Sequence, residues 1–475
     1  MAAKFGTSGL RGLVGELTDG TAAAHARAFA RHLIETGQAA RGAQIYLGRD
    51  RRASSPEIAR QCAAALVAEG LKPVECGVLP TPALALHAMG RGAAALMITG
   101  SHIPDDRNGV KFYRPDGEID KHDEAAIAGL APGLVSDAPT PAAILRDDSA
   151  AALAGFVARY RGFVPEGLFA GLRIGLYEHS SAASAALAAI LGEAGAEVIG
   201  LGPSSVFIPV DTEAVSEETR RLAGDWVAEL SLDGLVSADG DGDRPMVVDE
   251  TGRVIRGDAL GLIVARHLDA DAVVTPITSN SGIEAGCTAD AIRTRVGSPY
   301  VISGMTEALQ KGRQRVIGFE ANGGVLTANP VAVGSARLAA LPTRDSVLPI
   351  LCAFAAARAA GETLSAHVAE LALPVAASDR IEHFPTATGQ ALVADLSGDE
   401  DRRLRFFEPL GRPVNADLTD GLRVTLDSGA IVHLRPSGNA PELRIYSEAP
   451  SEELALDLIA RTAARVCEVA PDYPG

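Results

Sequence analysis

Gln44-Ile-Tyr-Leu-Gly-Arg-Asp50 is a short apolar run that ends in charge, the pattern of a buried strand opening into a polar loop. A helical stretch from Pro56 to Glu69 follows, then a second strand from Lys72 to Cys76. The same order returns at Arg173-Ile-Gly-Leu-Tyr177, with a helix over 182–194 and a strand over 196–200. A third copy is read at Ala272 to Pro276, with a helix around 281–292 and a strand over 300–303. Strand, loop, helix, strand, repeated, predicts successive α/β domains. Each copy runs on to a further strand with a polar loop at its end, bearing Ser101, Asp239 or Glu320. The last hundred residues differ, with strands over 421–425 and 431–434 and a final helix over 452–466. The expected fold is therefore three similar mixed α/β domains and a smaller α+β C-terminal domain around a central cleft. Polar or glycine-bearing stretches near Asp147, Gly252 and Leu373 place the domains at 1–147, 148–252, 253–373 and 374–475.

The first loop, Thr99-Gly-Ser-His-Ile-Pro104, leads into Asn108-Gly-Val-Lys-Phe112 and gathers a hydroxyl, an imidazole and an ammonium. An acyl nucleophile would need a G-x-S-x-G elbow, and here Pro104 and Asp105 follow instead. A lone loop serine is more often a turn or cap residue, so the reading of Ser101 as a phosphoryl carrier depends on the other loops. In Asp239-Gly-Asp-Gly-Asp-Arg-Pro245, three carboxylates within five residues repel unless a cation lies among them. Magnesium, which keeps few protein ligands and leaves room for phosphate oxygens, suits them. A calcium EF-hand is the competitor, because Glu250 is twelfth from Asp239; Arg244 at the sixth position, Pro245 and strand-like flanks oppose it. Glu320 and Asn322, in Val316-Ile-Gly-Phe-Glu-Ala-Asn-Gly-Gly324, are spaced to meet neighbouring sugar hydroxyls, though strand ends often carry such residues for turns alone. Arg435-Pro-Ser-Gly-Asn-Ala-Pro-Glu-Leu-Arg444 offers guanidiniums, a hydroxyl and glycine-flanked amides to a phosphate dianion. A plain turn between strands would explain Pro436 and Gly438 but not both arginines.

These motifs in this order, with Lys4-Phe-Gly-Thr-Ser-Gly-Leu-Arg-Gly12 at the start, resemble the alpha-D-phosphohexomutases over nearly the whole length. That superfamily comprises phosphomannomutase, phosphoglucomutase and phosphoglucosamine mutase. The resemblance implies a phosphoserine at Ser101 and Mg2+ held by Ser101, Asp239, Asp241 and Asp243. It implies a sugar loop at Glu320 and Asn322, and a phosphate clamp of Arg435, Ser437, Gly438, Asn439 and Arg444. Arg11, Lys111 and Arg244 match positions lining the catalytic centre. Departures are Asn322 where many relatives have serine, Gly324 where several have histidine, and Asn439-Ala440 where Thr-Glu is common. The flavour of the loops is that of a bacterial phosphomannomutase, with phosphoglucomutase and phosphoglucosamine mutase as alternatives. The implied reaction interconverts a hexose 6-phosphate and its 1-phosphate through a hexose 1,6-bisphosphate. A phosphatase and an inactive sugar-phosphate sensor are the other classes considered.

Lys111 is the expected general base, because crowding by Arg11, Arg244 and the metal would disfavour its ammonium; only five of the 43 basic residues are lysines. His102 is expected to shape the serine loop rather than shuttle protons. The formal charge of −17 argues against nucleic acid or anionic membrane as partners, so a sugar phosphate requires a locally basic cleft. The five cysteines are scattered without metal-ligand spacing. With no signal-like or membrane-length apolar run, they favour a cytoplasmic protein, as a monomer or homodimer.

Overall fold

The computed structural model describes residues 3–6, 9–134, 146–333, 336–437 and 441–473. Four major sheets follow one another along the chain. The first three share a four-strand arrangement: second strand, first strand, third strand, fourth strand, with two parallel pairings and then an antiparallel one. In the first sheet these strands are Lys72–Val78, Gln44–Arg49, Ala94–Ile98 and Arg107–Arg114. In the second they are Glu197–Pro203, Arg173–His179, Gly234–Ala238 and Pro245–Asp249. In the third they are Asp290–Thr294, Ala272–Pro276, Val316–Phe319 and Val325–Thr327. Helices cover these sheets, so central strands such as Ala94–Ile98 and Gly234–Ala238 are buried at every residue and read as apolar runs rather than alternations.

The third unit departs from the sequence expectation. The helix expected over 281–292 is a single turn, Ile283–Gly286, and Asp290–Thr294 is the strand. Residues 300–303, expected as a strand, lie inside the helix Ser298–Gln310, which starts with proline in its first turn and buries Val301, Met305 and Ala308 on one face. The short strand Val254–Ile255 pairs with Pro245–Asp249 and closes the second sheet. The fourth sheet is wholly antiparallel, in the order Val375–Glu382, Glu442–Ala449, Ile431–Pro436, Leu422–Leu426, Pro413–Asp417. The helix Glu452–Val469 packs on it.

One hydrophobic cluster runs through the first three units, from Tyr46 and Met97 through Phe156, Leu176 and Val236 to Phe319 and Phe354. The C-terminal sheet keeps its own core, including Leu392, Phe407, Val432 and Ile445. Its contacts with the third unit include polar ones: Ser281 N donates to Glu448 Oε2 at 3.0 Å, and Val296 N donates to Asp420 Oδ2 at 3.0 Å. Among the described residues no helix is long and apolar enough to cross a membrane.

Burial lowers the imidazoles of His179 and His433 to about 4. Their unfolded-state value is about 6.5, so folded protein disfavours the proton that the unfolded chain accepts. Stability is therefore full above pH 6.5 and falls as pH drops towards 4, by about 3 kcal/mol per histidine. Denaturant unfolding against pH should show this decline, and His433→Gln should make it shallower.

Candidate active site

In each of the first three units the loop between the third and fourth core strands leaves the carboxyl end of a parallel strand, where α/β sheets place their ligands. The loop segments 99–106, 239–244 and 320–324 meet there. Their convergence follows from the repeated strand order rather than from sequence proximity.

Ser101 is buried and adopts a left-handed backbone, φ 56°, a conformation that costs energy for a non-glycine residue and needs support from its surroundings. That support comes from Asp50 and Arg52, just beyond the strand Gln44–Arg49. Arg52 donates through Nη1 to the carbonyls of Pro104 and Arg107 at 2.7 and 2.9 Å, and through Nη2 to those of Ser101 and Ile103 at 3.0 and 2.6 Å. Asp50 accepts from Arg52 Nε at 3.2 Å and from Thr99 Oγ1 at 2.8 Å, and Thr99 Oγ1 in turn accepts from Ser101 N at 2.8 Å. The Arg52 guanidinium stacks on the Phe207 ring, 3.8 Å from its centroid.

Ser101 Oγ donates to Asp239 Oδ2 at 2.5 Å. Asp239, Asp241 and Asp243 are fully buried, with carboxylate oxygens within 4.8 Å of one another. The glycines between them let the loop pass close to its neighbours. A Cβ on Gly240 would lie 2.6 Å from the Ser101 carbonyl oxygen, and one on Gly242, at φ 69°, would lie 2.7 Å from Ala183 Cβ. Burial, then the charges of Asp241 and Asp243, push Asp239 up to about 8. Burial alone would raise Asp243 too, yet Arg344, Lys111 and Arg244 hold it well below the usual carboxylate range. Asp241 Oδ1 and Asp243 Oδ1 are buried with no hydrogen-bond partner. Hard, unpartnered oxygens gathered this closely fit a magnesium-type divalent cation. Strands on both sides of this loop exclude the helix-flanked calcium motif.

Lys111 differs from expectation. Its ammonium donates to Asp241 Oδ2 and Asp243 Oδ2, each at 2.6 Å. Burial favours the neutral amine, but the two carboxylates prevail and raise its pKa. Where the sequence suggested a neutral base, the structure pairs the lysine ammonium with two aspartates. His102 Nδ1 accepts from Arg244 Nη1 at 2.9 Å and lies 3.3 Å from Ser101 Oγ. Burial, Arg244 and Arg11 all depress its pKa, so the ring is neutral. Arg11 also has its pKa lowered, to about 10, by burial and by Arg244.

Beside these groups lies a cavity of about 580 Å³ whose lining includes Arg11, His102, Arg244, Arg344, Glu320 and Asn322. From the C-terminal sheet, Arg380, Arg444 and Tyr446 border it. The cleft is not uniformly basic, since Asp211, Glu213, Asp379 and Glu382 also line it. Arg435 and Ser437 are not among the residues bordering it; Arg435 Nε donates to Asp420 Oδ2 at 2.9 Å, the oxygen that also takes Val296 N. Gly438 and Asn439 lie outside the described residues. Arg435 and Arg444 are nevertheless register partners, and Arg380 pairs with Arg444 on the other side. Directly opposed residues of antiparallel strands share a face, so three guanidinium-bearing positions stand in one row.

Sequence reasoning missed Asp50, Arg52, Arg344 and Arg380. The signals were charged residues at the end of a buried strand, in Gly48-Arg-Asp-Arg-Arg52, and inside one, in Leu341-Pro-Thr-Arg-Asp345. The space beside Gly324 is filled by the Arg344 side chain.

Residues 2–132 match the phosphoglucomutase/phosphomannomutase alpha/beta/alpha domain I, residues 256–374 domain III, and residues 368–465 the C-terminal domain of the same family. A phosphomannomutase of Sinorhizobium fredii (strain NBRC 101917 / NGR234) is 52% identical over 467 residues, covering 98% of each chain. A crystal structure of a phosphoglucomutase/phosphomannomutase family protein from Burkholderia thailandensis superposes with a TM-score of 0.76 at 19% identity, over 98% of this chain and 97% of the other. The Aspergillus fumigatus N-acetylphosphoglucosamine mutase, solved with GlcNAc-6P and magnesium, has the same fold, with a TM-score of 0.60 at 14% identity over 99% and 96% of the two chains.

Arg52→Met would strand the Asp50 carboxylate in the interior. Equilibrium unfolding in denaturant is expected to show a loss of about 3–5 kcal/mol, the range for breaking a buried pair from one side.

Proposed function

The chain belongs to the phosphoglucomutase/phosphomannomutase family, and on that premise we propose that it interconverts mannose 6-phosphate and mannose 1-phosphate through a phosphorylated Ser101. The observation that carries this reading is the Ser101 hydroxyl held 2.5 Å from Asp239, at the mouth of a three-aspartate cradle. An acyl-transfer site would give its serine proton to a base and face it with oxyanion donors; here the Ser101 hydroxyl donates to Asp239, and the Nδ1 of the adjacent His102 already accepts from Arg244.

The phosphoryl group on Ser101 moves to the free hydroxyl of a bound hexose monophosphate. The serine oxygen–phosphorus bond breaks, a sugar oxygen–phosphorus bond forms, and the proton given up by the sugar hydroxyl is balanced by the one that the freed Ser101 Oγ takes up to become the hydroxyl that donates to Asp239. The product is a hexose 1,6-bisphosphate, which then presents its other phosphate to Ser101. Such transfers depend on alignment and on stabilising charge spread over the phosphoryl oxygens. Arg11 and Arg244 face the cavity beside the serine loop and supply that charge. Arg52 holds the loop against the sheet, and neutral His102 buttresses it through Arg244. Asp239, Asp241, Asp243 and an oxygen on Ser101 would hold Mg2+, which supplies Lewis-acid polarisation of the transferring group when bound.

Glu320 and Asn322 read the sugar, and the distal phosphate rests on the arginine row of the C-terminal sheet, Arg380, Arg444 and Arg435, with Ser437 as a further clamp residue; Gly438 and Asn439, which complete the clamp in this reading, lie outside the described residues. Arg435 must exchange Asp420 for phosphate to join that clamp. The nearest support for mannose is the Sinorhizobium relative at 52% identity. The four segments come from one chain, so the reading needs no second subunit; a monomer or a homodimer would serve. We divide the chain at residues 147, 252 and 373; the second of these falls just before Val254–Ile255, the last strand of the second sheet. A reducing, cytoplasmic setting suits the five free cysteines, of which burial pushes Cys62 and Cys76 up to about 12.

Phosphorus NMR with Mg2+, catalytic glucose 1,6-bisphosphate and separate mannose, glucose and glucosamine 1-phosphates should show conversion to the 6-phosphate, fastest for mannose. Release of inorganic phosphate without isomerised sugar would instead mark a phosphatase, and no turnover of fully phosphorylated enzyme would mark a binding protein. Ser101→Ala is expected to lower kcat by more than about a thousandfold, the scale of losing a covalent nucleophile. Arg435→Ala should raise KM and lower turnover while leaving Ser101 phosphorylation intact by mass spectrometry. Chelation should stop turnover, and Mg2+ should restore it where Ca2+ does not.

A further inference from the structure

Arg344 stands between two carboxylates that belong to different loops. It lies on the strand Leu341–Asp345 and is only 2% exposed. Its Nη1 donates to Glu320 Oε2 at 2.8 Å, while Nε and Nη2 donate to Asp243 Oδ2 at 3.1 and 2.9 Å. Lys111 Nζ takes the same Asp243 Oδ2. Every hydrogen bond to the Asp243 carboxylate thus falls on one oxygen, and Oδ1 is left without a hydrogen bond, with only Arg244 Nε near it at 3.8 Å. The planar guanidinium fork is what allows one side chain to grip both acids at defined angles, which a lysine ammonium does not reproduce.

Room for this side chain comes from Gly324. A Cβ there would lie 2.7 Å from Arg344 Cδ and 2.8 Å from its Cβ and Cγ. Those atoms are the stem of a buried side chain, so any larger residue at 324 must displace Arg344. Glycine at 324 and arginine at 344 are therefore one device.

We propose that Arg344 is a positioning residue for the phosphoryl transfer, a strut that fixes the sugar-facing carboxylate Glu320 against the metal-facing carboxylate Asp243. It determines which Asp243 oxygen the cradle presents. It also sets the register of the hexose hydroxyls relative to Ser101, so it contributes to discrimination between hexose epimers. The epimer part rests on the mutase reading above; the Asp243 part does not.

Arg344→Lys and Gly324→Ala attack the strut from its two ends in the full chain. Circular dichroism checks folding, titration calorimetry measures Mg2+ binding, and kcat and KM are taken with mannose 1-phosphate and glucose 1-phosphate. Both variants are expected to fold, to bind Mg2+ about tenfold more weakly, and to lose about tenfold in the ratio of the two kcat/KM values, the effect of losing a charged hydrogen bond. A folded Gly324→Ala or Arg344→Lys protein with wild-type Mg2+ affinity and epimer ratio would overturn the proposal. Loss of fold in both variants would overturn it too, by making the residue purely structural. If the wild type converts no hexose phosphate, the mutase reading fails and the calorimetry alone decides for or against the strut.

Discussion

Three carboxylates packed into five buried residues are the constraint around which this molecule is arranged. Asp239, Asp241 and Asp243 are each taken wholly out of water, and a buried carboxylate is costly unless matched by positive charge and hydrogen bonds. Part of the match is the loop's own, from Arg244 and the amides of Asp243 and Arg244, and the rest comes from other units. Lys111 arrives from the first sheet, Arg344 from the third, and Thr81 bonds Asp241 through its hydroxyl. Ser346 Oγ donates to the Gly242 carbonyl at 2.7 Å. The acidic loop thereby fastens the first three units to one another, in keeping with the single hydrophobic cluster that runs through them.

The same charge requirement connects architecture to chemistry. Where lysine and arginine bond the Oδ2 atoms of Asp241 and Asp243, their two Oδ1 atoms accept no hydrogen bond, and a divalent cation is the natural complement to them. Ser101, held in a left-handed turn by the Arg52 cage, faces that cradle. Asp50 and Arg52 never border the cavity, yet they decide where the serine hydroxyl stands. The C-terminal unit follows a different logic, with a core of its own. Asp420 sits where it meets the third unit, shared between Arg435 and the Val296 amide.

Much of this was readable from the chain. The repeated strand, loop, helix, strand order is local, because it rests on hydrophobic period and on turn residues, and it led correctly to three similar α/β units. The third copy was partly misread because Asp290-Ala-Ile-Arg-Thr294 is half-buried and short, without a helical or strand period long enough to separate the two. Gly297-Ser-Pro299 then opens the helix that was taken for a strand. The acidic loop and the serine loop were legible because each compresses an improbable set of groups into a few residues. The ion pairs of Lys111 are not legible in the sequence, since its neighbours in space are aspartates 130 and 132 residues away.

By itself, then, the sequence determined the repeated α/β plan, the separate C-terminal unit and the identity of the chemically charged loops, because these depend on residues close together along the chain. Tertiary structure alone decided which charges meet. It brought Arg52 under the Ser101 loop, set Arg344 between Asp243 and Glu320 in the space left by Gly324, and turned Arg435 towards Asp420. Coulomb interactions act through space and burial sets their strength, and neither distance nor burial between remote residues is written in their spacing along the chain.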